Sequence, residues 1–211
     1  MFKDIAGWFN NGGPFMWVIL AVFAFAVAVA VERLIFYYFI CGRRGAQQVA
    51  SLARLINEKK VEEAKRVVFN KSDPLSVLLY TAVDRFSNSM NIEEIREGVE
   101  EAAIQQVPRL SQRLNYLSLF ANVATLLGLL GTITGLQLSF SSLASIEASK
   151  KAALLASGIS QAMITTAFGL IVAVPCMVIY TFLYNTQNQL VKDLDEAVVR
   201  FLNYLKKTKS S

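Results

Sequence analysis

Apolar residues are concentrated in three long stretches of this chain. The stretches run from Phe15 to Val31, from Leu114 to Ile146 and from Ala152 to Val191, and the last two contain no Asp, Glu, Lys or Arg. A helix needs about 20 apolar residues to cross the hydrocarbon core of a bilayer. The pattern therefore predicts an all-α integral membrane protein with three transmembrane helices, two of which extend into the cytoplasm, and with a helical cytoplasmic insert.

The order of apolar and polar segments divides the chain into seven predicted parts. The transmembrane helices are predicted over 15–40, 114–143 and 157–184. The other parts are an outer interfacial amphipathic helix (1–14), a cytoplasmic helical domain (41–113), a short periplasmic loop (144–156) and a cytoplasmic C-terminal helix (185–211). Because breakers are rare at the ends of the second and third spans, we expect both to continue beyond the bilayer as long helices.

The cytoplasmic insert has the residue pattern of several amphipathic helices. Apolar residues recur at steps of three and four over 49–56 and again over 61–68. Asp73 followed by Pro74, and Asn91 followed three residues later by Glu94, predict the starts of two further helices. Pro108 is expected to mark a bend before the second span. The insert is therefore predicted to be entirely helical.

Basic residues follow the first span instead of preceding it. Arg33, Arg43 and Arg44 lie after the apolar stretch, whereas Lys3 precedes it and is partly balanced by Asp4. Since positive residues are retained on the cytoplasmic side, the N-terminus is predicted to be outside and the C-terminus inside. The net charge of +5 then reflects this topology and contact with anionic lipids, so nucleic acid is not an expected partner.

The composition argues against an enzyme. The sequence is 54% hydrophobic, with a mean hydropathy of +0.42, and it contains no His. Its two cysteines, Cys41 and Cys176, have no neighbour at the spacing of metal ligands. The sequence also has no phosphate-binding glycine loop. We therefore predict that the chain has no metal, no other cofactor and no enzymatic activity of its own.

Small and hydroxyl residues recur at helical spacing within the second and third apolar stretches. The first series is Thr125, Gly128, Thr132, Gly135, Ser139 and Ser142, and the second is Gly158, Ala162, Thr166, Gly169, Ala173 and Cys176. Small residues at such spacing allow close packing of membrane helices, and the candidate packing residues are Gly128, Gly131, Gly135, Gly158, Gly169 and Pro175. The clustered hydroxyls of Thr125, Thr132, Thr165 and Thr166 alternatively indicate a weakly polar pore.

Glu32 and Arg33 form a charged pair at the predicted cytoplasmic edge of the first span. A charge at this depth is costly unless it is paired or reaches the interface. Arg33 is expected to extend to the lipid headgroups, whereas Glu32 needs a partner or water. The pair is predicted either to anchor this edge or to act functionally, in an ion pair between subunits or at a proton exit.

Two segments closely resemble the second- and third-span motifs of the MotA/TolQ/ExbB proton-channel family. Residues 121–135 read ANVATLLGLLGTITG, and residues 158–175 read GISQAMITTAFGLIVAVP. Glu32-Arg33 and the size of the insert also resemble that family, and the three-span layout is similar to its ExbB/TolQ branch. The resemblance implies a multi-pass protein of the bacterial inner membrane with a periplasmic N-terminus, a homopentamer whose second and third spans enclose a pore.

The resemblance also implies partners and site residues. It implies a dimeric, single-span ExbD/TolR-like protein inside the pore and a TonB/TolA-like effector, with protons as the coupling ion. The pore threonines of the family correspond to Thr132 and Thr166, with Thr125, Thr165 and Gln161 as further candidates for the proton pathway. The family often has a glutamate where Gln161 stands, so this chain departs from the pattern at that position.

The implied function is that of a stator subunit that uses the proton motive force to energise TonB-dependent transport across the outer membrane. The second and third apolar stretches hold no side chain that titrates near neutral pH. If protons cross the membrane here, a partner must therefore supply the group that carries them. TolQ-like work in envelope integrity and a gliding-type motor are alternatives. A passive membrane scaffold, in which the small residues only pack helices, is the third alternative.

Overall fold

The structure of this protein is a computed structural model that describes residues 12–41, 45–69, 73–143 and 147–209. Its helices are α1 (Phe15–Ile35), a π-helical segment (Phe36–Ile40), α2 (Gly45–Asn57), α3 (Val61–Phe69), α4 (Pro74–Ser87), α5 (Ile92–Ser111), α6 (Asn115–Ser142) and α7 (Ala148–Lys209). Within those four ranges the chain contains no strand. Most of the amphipathic helix predicted for 1–14 lies outside the described residues.

Three helical regions are long and apolar enough to cross a membrane. They are Phe15–Tyr38, Ile92–Ser142 and Ala148–Lys209. This confirms the predicted all-α fold with three candidate spans. Which of their ends faces the cytoplasm stays a prediction.

The helix boundaries differ from the predicted ones at two places. Helix α7 begins at Ala148, inside the segment predicted as a loop, and continues to Lys209, so the predicted third span (157–184) and the described part of the predicted C-terminal helix (185–209) belong to one helix. Alanine-rich sequence without a breaker explains the early start. Helix α5 contains Pro108 and continues to Ser111, and the chain leaves the helix at Gln112 and Arg113, where Arg113 has a φ of 62°.

The chain divides into two compact units. The first unit contains residues up to Val31 and the segment Arg113–Phe182, and the second contains Glu32–Gln112 and the segment from Leu183 onward. In the first unit, α1, α6 and the first part of α7 share a buried cluster: Ile19, Ala26, Ala121, Ala124, Val172, Ala173 and Cys176. The rings of Phe25 and Phe120 stack at 6.4 Å, which places α1 against the Phe120 side of α6.

The second unit is a helical domain with its own core. Helices α2 to α5 and the end of α7 bury Leu52, Val68, Leu78, Val83, Ile95, Phe201 and Leu205, among others. Both predicted helix starts are confirmed: the Asp73 carboxylate accepts from the Ser76 N–H, and Asn91 and Glu94 form a reciprocal capping box. Lys65 of α3 pairs with Asp84 of α4 at 2.9 Å.

Candidate proton-path site

Helices α6 and α7 pack closely along their small residues. A methyl group added at Gly128 would lie 3.2 Å from the Thr166 Cα, and one added at Gly135 would lie 3.2 Å from the Ala162 Cβ. Further along, Gly158 lies against Ser139. Along this contact the residue numbers on α7 decrease as those on α6 increase, so the two helices are antiparallel.

Two of the glycines at this contact, Gly131 and Gly169, leave no room for a side chain. A Cβ at Gly169 would lie 2.7 Å from the carbonyl oxygen of Ala124, and a Cβ at Gly131 would collide with the Thr165 side chain. All five glycines predicted to pack helices lie at this contact: Gly128, Gly131, Gly135, Gly158 and Gly169. Pro175, the sixth candidate, is exposed within α7.

Thr125 and Thr132 lie beside the glycine contact, on the flank of α6 that faces away from α1. Successive helical residues are about 100° apart, which puts Thr132 about 120° and Thr125 about 140° around the axis from Phe120. Thr125 is exposed and Thr132 is half-buried. The two threonines therefore face outward from the first unit, away from α1.

Thr166 lies on the corresponding flank of α7. It is about 140° around the helix from Gln161, which lies against Gly13 at the start of the α1 region. We call Thr125, Thr132 and Thr166 the open face. Leu129, Leu136 and Leu170 are exposed around the threonines.

The hydroxyl hydrogens of the open face are bonded to backbone carbonyls. Thr125 donates to Ala121 at 3.1 Å, and Thr132 donates to Leu129 at 2.6 Å, both within α6. Thr166 donates across to the Gly128 carbonyl of α6 at 2.8 Å. A hydroxyl that donates in this way keeps acceptor lone pairs. The open face can therefore accept hydrogen bonds from water or from a protonated acid.

Thr165 and Gln161 are separated from the open face. The Thr165 side chain is 1% exposed, and its hydroxyl lies 2.7 Å from the Gly12 carbonyl oxygen and 3.0 Å from that of Gln161. The Gln161 amide nitrogen lies against Gly13, whose φ of 75° favours glycine. Both residues thus bind the turn that precedes α1.

Glu32 and Arg33 belong to the second unit. Arg33 is 4% exposed, and its guanidinium donates to the Arg109 carbonyl at 3.2 Å and to the Glu32 carboxylate at 3.3 Å. The expectation that Arg33 extends to lipid headgroups is wrong, because the end of α5 covers it. The sequence also gave no indication that Tyr37 binds the same helix end, where its hydroxyl donates to the Leu110 carbonyl at 2.6 Å.

Titratable groups form no metal site in the part of the chain that the structure describes: no group of three His, Cys, Asp or Glu side chains there could hold an ion. Cys41 lies next to a cavity of about 440 Å³ in the second unit. Burial, and then the negative charge of Asp73, raise the pKa of its thiol to about 11. Cys41 is therefore a neutral, weakly nucleophilic thiol at physiological pH.

Comparison with known proteins agrees with the resemblance. The model of the MotA/TolQ/ExbB proton channel family matches residues 70–196, which is more than half of the chain. This chain belongs to that family. The family comprises membrane channel and transport subunits and is not an enzyme class.

Several relatives carry ExbB or TolQ names. A biopolymer transport protein ExbB homolog of Methanothermobacter thermautotrophicus is 26% identical over 86% of this chain and 63% of its own length. Biopolymer transport protein ExbB of Pseudomonas putida is 31% identical over 65% of this chain and 43% of its own length. The chain thus spans less than two thirds of the length of both relatives.

A solved structure shares the fold. A chain of C. jejuni MotAB has a TM-score of 0.59 and 21% sequence identity, over 85% of this chain and 69% of that one. At this identity the likeness concerns the fold alone. Together with the three candidate spans, it supports the all-helical membrane architecture.

Proposed function

We propose that this family member is the channel-forming stator subunit of a proton-driven complex in a bacterial inner membrane, with a periplasmic N-terminus and a cytoplasmic C-terminus. The observation that carries the proposal is the open face. Three threonines of two packed helices lie on one side of the first unit, turned away from α1, with exposed leucines around them. A passive scaffold has no need of hydroxyls on an exposed membrane face.

A second protein supplies the proton carrier in this proposal. Residues 114–146 and 152–191 contain no carboxylate and no basic side chain, so α6 and the spanning part of α7 hold no group that exchanges protons near neutral pH. The resemblance of the motifs supports an ExbD/TolR-like partner with an aspartate in its single span. Glycine contacts between α6 and α7 keep the two helices rigid while the partner moves.

The hydroxyl geometry supports a specific role for the threonines. With its hydrogen donated to a carbonyl, each threonine oxygen acts as an acceptor. A protonated carboxyl can donate to such an oxygen, whereas an ionised carboxylate only accepts. The open face therefore favours the partner whose carboxyl is protonated and neutral. A neutral carboxyl can then move past the exposed leucines of this face. One charge that crosses the membrane potential gains about 2.3 kcal/mol per 100 mV, which is enough to bias a mechanical step.

Among the roles found in this family, we propose an ExbB-like role for this chain. The complex would contain a homopentamer of this chain around a dimeric single-span partner, and a TonB-like effector would deliver the work to outer-membrane transport. The relative from Pseudomonas putida supports this assignment. A TolQ-like role with a TolA-like effector is the second candidate, since TolQ of Haemophilus influenzae is also 31% identical, over 48% of this chain.

Proton flux into liposomes tests the proposal. Vesicles that contain this protein with the ExbD/TolR-like partner should acidify under an imposed potential, whereas vesicles with either protein alone should not. An assembled complex that carries no flux would favour the scaffold. Growth of strains that lack ExbB or TolQ then separates the two candidates: rescue of iron uptake supports the ExbB role, and rescue of detergent resistance alone supports the TolQ role.

A further inference from the structure

Two side chains from the end of the first span bind the last carbonyl groups of α5. Arg33 lies in the final turn of α1, and its Nη1 donates to the Arg109 carbonyl at 3.2 Å. Tyr37 lies in the π-helical segment that follows, and its hydroxyl donates to the Leu110 carbonyl at 2.6 Å. Both side chains are buried, at 4% and 3% exposure. We call these two contacts the clasp.

The clasp uses the acceptors that a continuous helix would need. In an α-helix each N–H donates to the carbonyl four residues earlier. The Arg109 and Leu110 carbonyls would therefore accept from the N–H groups of Arg113 and Leu114 if α5 continued into α6. In the structure, side chains of a distant segment bind these two oxygens instead.

The local sequence does not require the helix to stop. Residues 109–114 read RLSQRL and contain neither Gly nor Pro. Nevertheless Gln112 has a ψ of 135° and Arg113 a φ of 62°, a conformation that is unfavourable for a residue with a side chain. Something outside this segment must therefore stabilise the break between α5 and α6.

The electrostatics of the clasp are suited to stabilising the break between α5 and α6. The carbonyl end of a helix carries partial negative charge, which a buried cation stabilises. The Arg33 guanidinium lies at this end of α5 and 5.2 Å from the centroid of the Phe36 ring, while Glu32 pairs with its Nη2 at 3.3 Å. Removal of both donors would leave the Arg109 carbonyl and the buried Leu110 carbonyl without these partners, and continuation of the helix would supply new ones.

We propose that Arg33 and Tyr37 are positioning residues that hold the break between α5 and α6 and thereby determine the residue at which α6 begins. The inference deepens the proposed function, because α6 carries Thr125 and Thr132 of the open face. In this proposal, residues 112–114 are non-helical with the clasp and become helical without it.

Backbone chemical shifts of Gln112 and Arg113 test this directly. The full-length protein, with labelled arginine and glutamine, is measured by solid-state NMR in lipid bilayers. The variant with Arg33→Met and Tyr37→Phe should shift the ¹³C signals of Gln112 and Arg113 to helical values. The matched control Tyr38→Phe, at an exposed neighbouring tyrosine, should leave them at wild-type values. Unchanged shifts in the double variant would overturn the proposal.

A single variant keeps the test decisive if the double variant does not fold. Tyr37→Phe alone removes one donor and should give two sets of Arg113 signals, broken and helical, where a single wild-type set would contradict the clasp. All of these readouts are independent of proton flux, so failure of the clasp and failure of the proposed function remain distinguishable.

Discussion

The Thr166 hydroxyl donates to the Gly128 carbonyl oxygen across 2.8 Å and thereby joins α7 to α6. The same threonine belongs to the open face. Its oxygen therefore serves both in helix packing and, in our proposal, as an acceptor on the proton path. Thr132 differs in this respect, since its hydroxyl bonds within its own helix. Substitutions at these two threonines should consequently have different effects on stability.

Thr166→Val should lower the free energy of unfolding by about 0.6 kcal/mol, the average for hydrogen bonds between membrane helices. Thr166→Ser should retain the bond. Thr181→Val is the control, because Thr181 is exposed and donates to Met177 of its own helix. Unfolding by SDS titration in detergent measures all three. Equal losses for Thr166→Val and Thr181→Val would show that the bond to Gly128 does not contribute.

Gly169→Ala should destabilise the first unit by about 1–3 kcal/mol. The added Cβ would lie 2.7 Å from the Ala124 carbonyl oxygen and 3.1 Å from the Gly128 Cα. Both are backbone atoms, so α6 and α7 must separate. The measurement is again the free energy of unfolding in detergent.

Gly98→Ala is the control for Gly169→Ala. Its Cβ would meet the end of the Arg85 side chain, which can move aside, and alanine is favoured over glycine within a helix by up to about 1 kcal/mol. The stability of this variant should stay close to that of the wild type. If Gly98→Ala were as destabilising as Gly169→Ala, the contact with backbone atoms would not explain the effect at Gly169.

Cys41 should react slowly with iodoacetamide up to high pH. Because its pKa is raised to about 11, first by burial and then by Asp73, the reactive thiolate should form only as the pH approaches that value. Asp73→Asn should lower the pKa and accelerate alkylation at pH 9, while asparagine still caps α4. Mass spectrometry of the Cys41 peptide gives the rates. A midpoint near pH 9 in the wild type would contradict this assignment.

Much of the fold was predictable because its signals are local. The lengths of the apolar stretches indicated the three spans. The caps at Asp73 and Asn91 follow from residues at most three positions apart. The close packing of Gly128, Gly135 and Gly158 follows from helical spacing. Each of these features depends on neighbours along the same helix, which a sequence displays.

Other features depend on a distant partner. Thr165 and Thr166 are adjacent and look equivalent in the sequence, yet about 100° of helix rotation places one against Gly12 and the other on the open face. The break after Ser111 has no local breaker, and its binding partners, Arg33 and Tyr37, lie more than 70 residues away. Neither feature could be predicted without knowledge of where α1 packs.

In our proposal, the threonine flank of α6 that is turned away from α1 carries the proton path. Thr134 offers a matched control: its hydroxyl also donates to a carbonyl of α6, Leu130, at 2.9 Å, but it lies about 160° from Thr132, on the α1 side. The decisive measurement is partner-dependent proton flux in liposomes for Thr132→Val and Thr134→Val. We expect at least a tenfold loss, about 1.4 kcal/mol in barrier height, for Thr132→Val and near wild-type flux for Thr134→Val. Equal flux in the two variants would contradict the account.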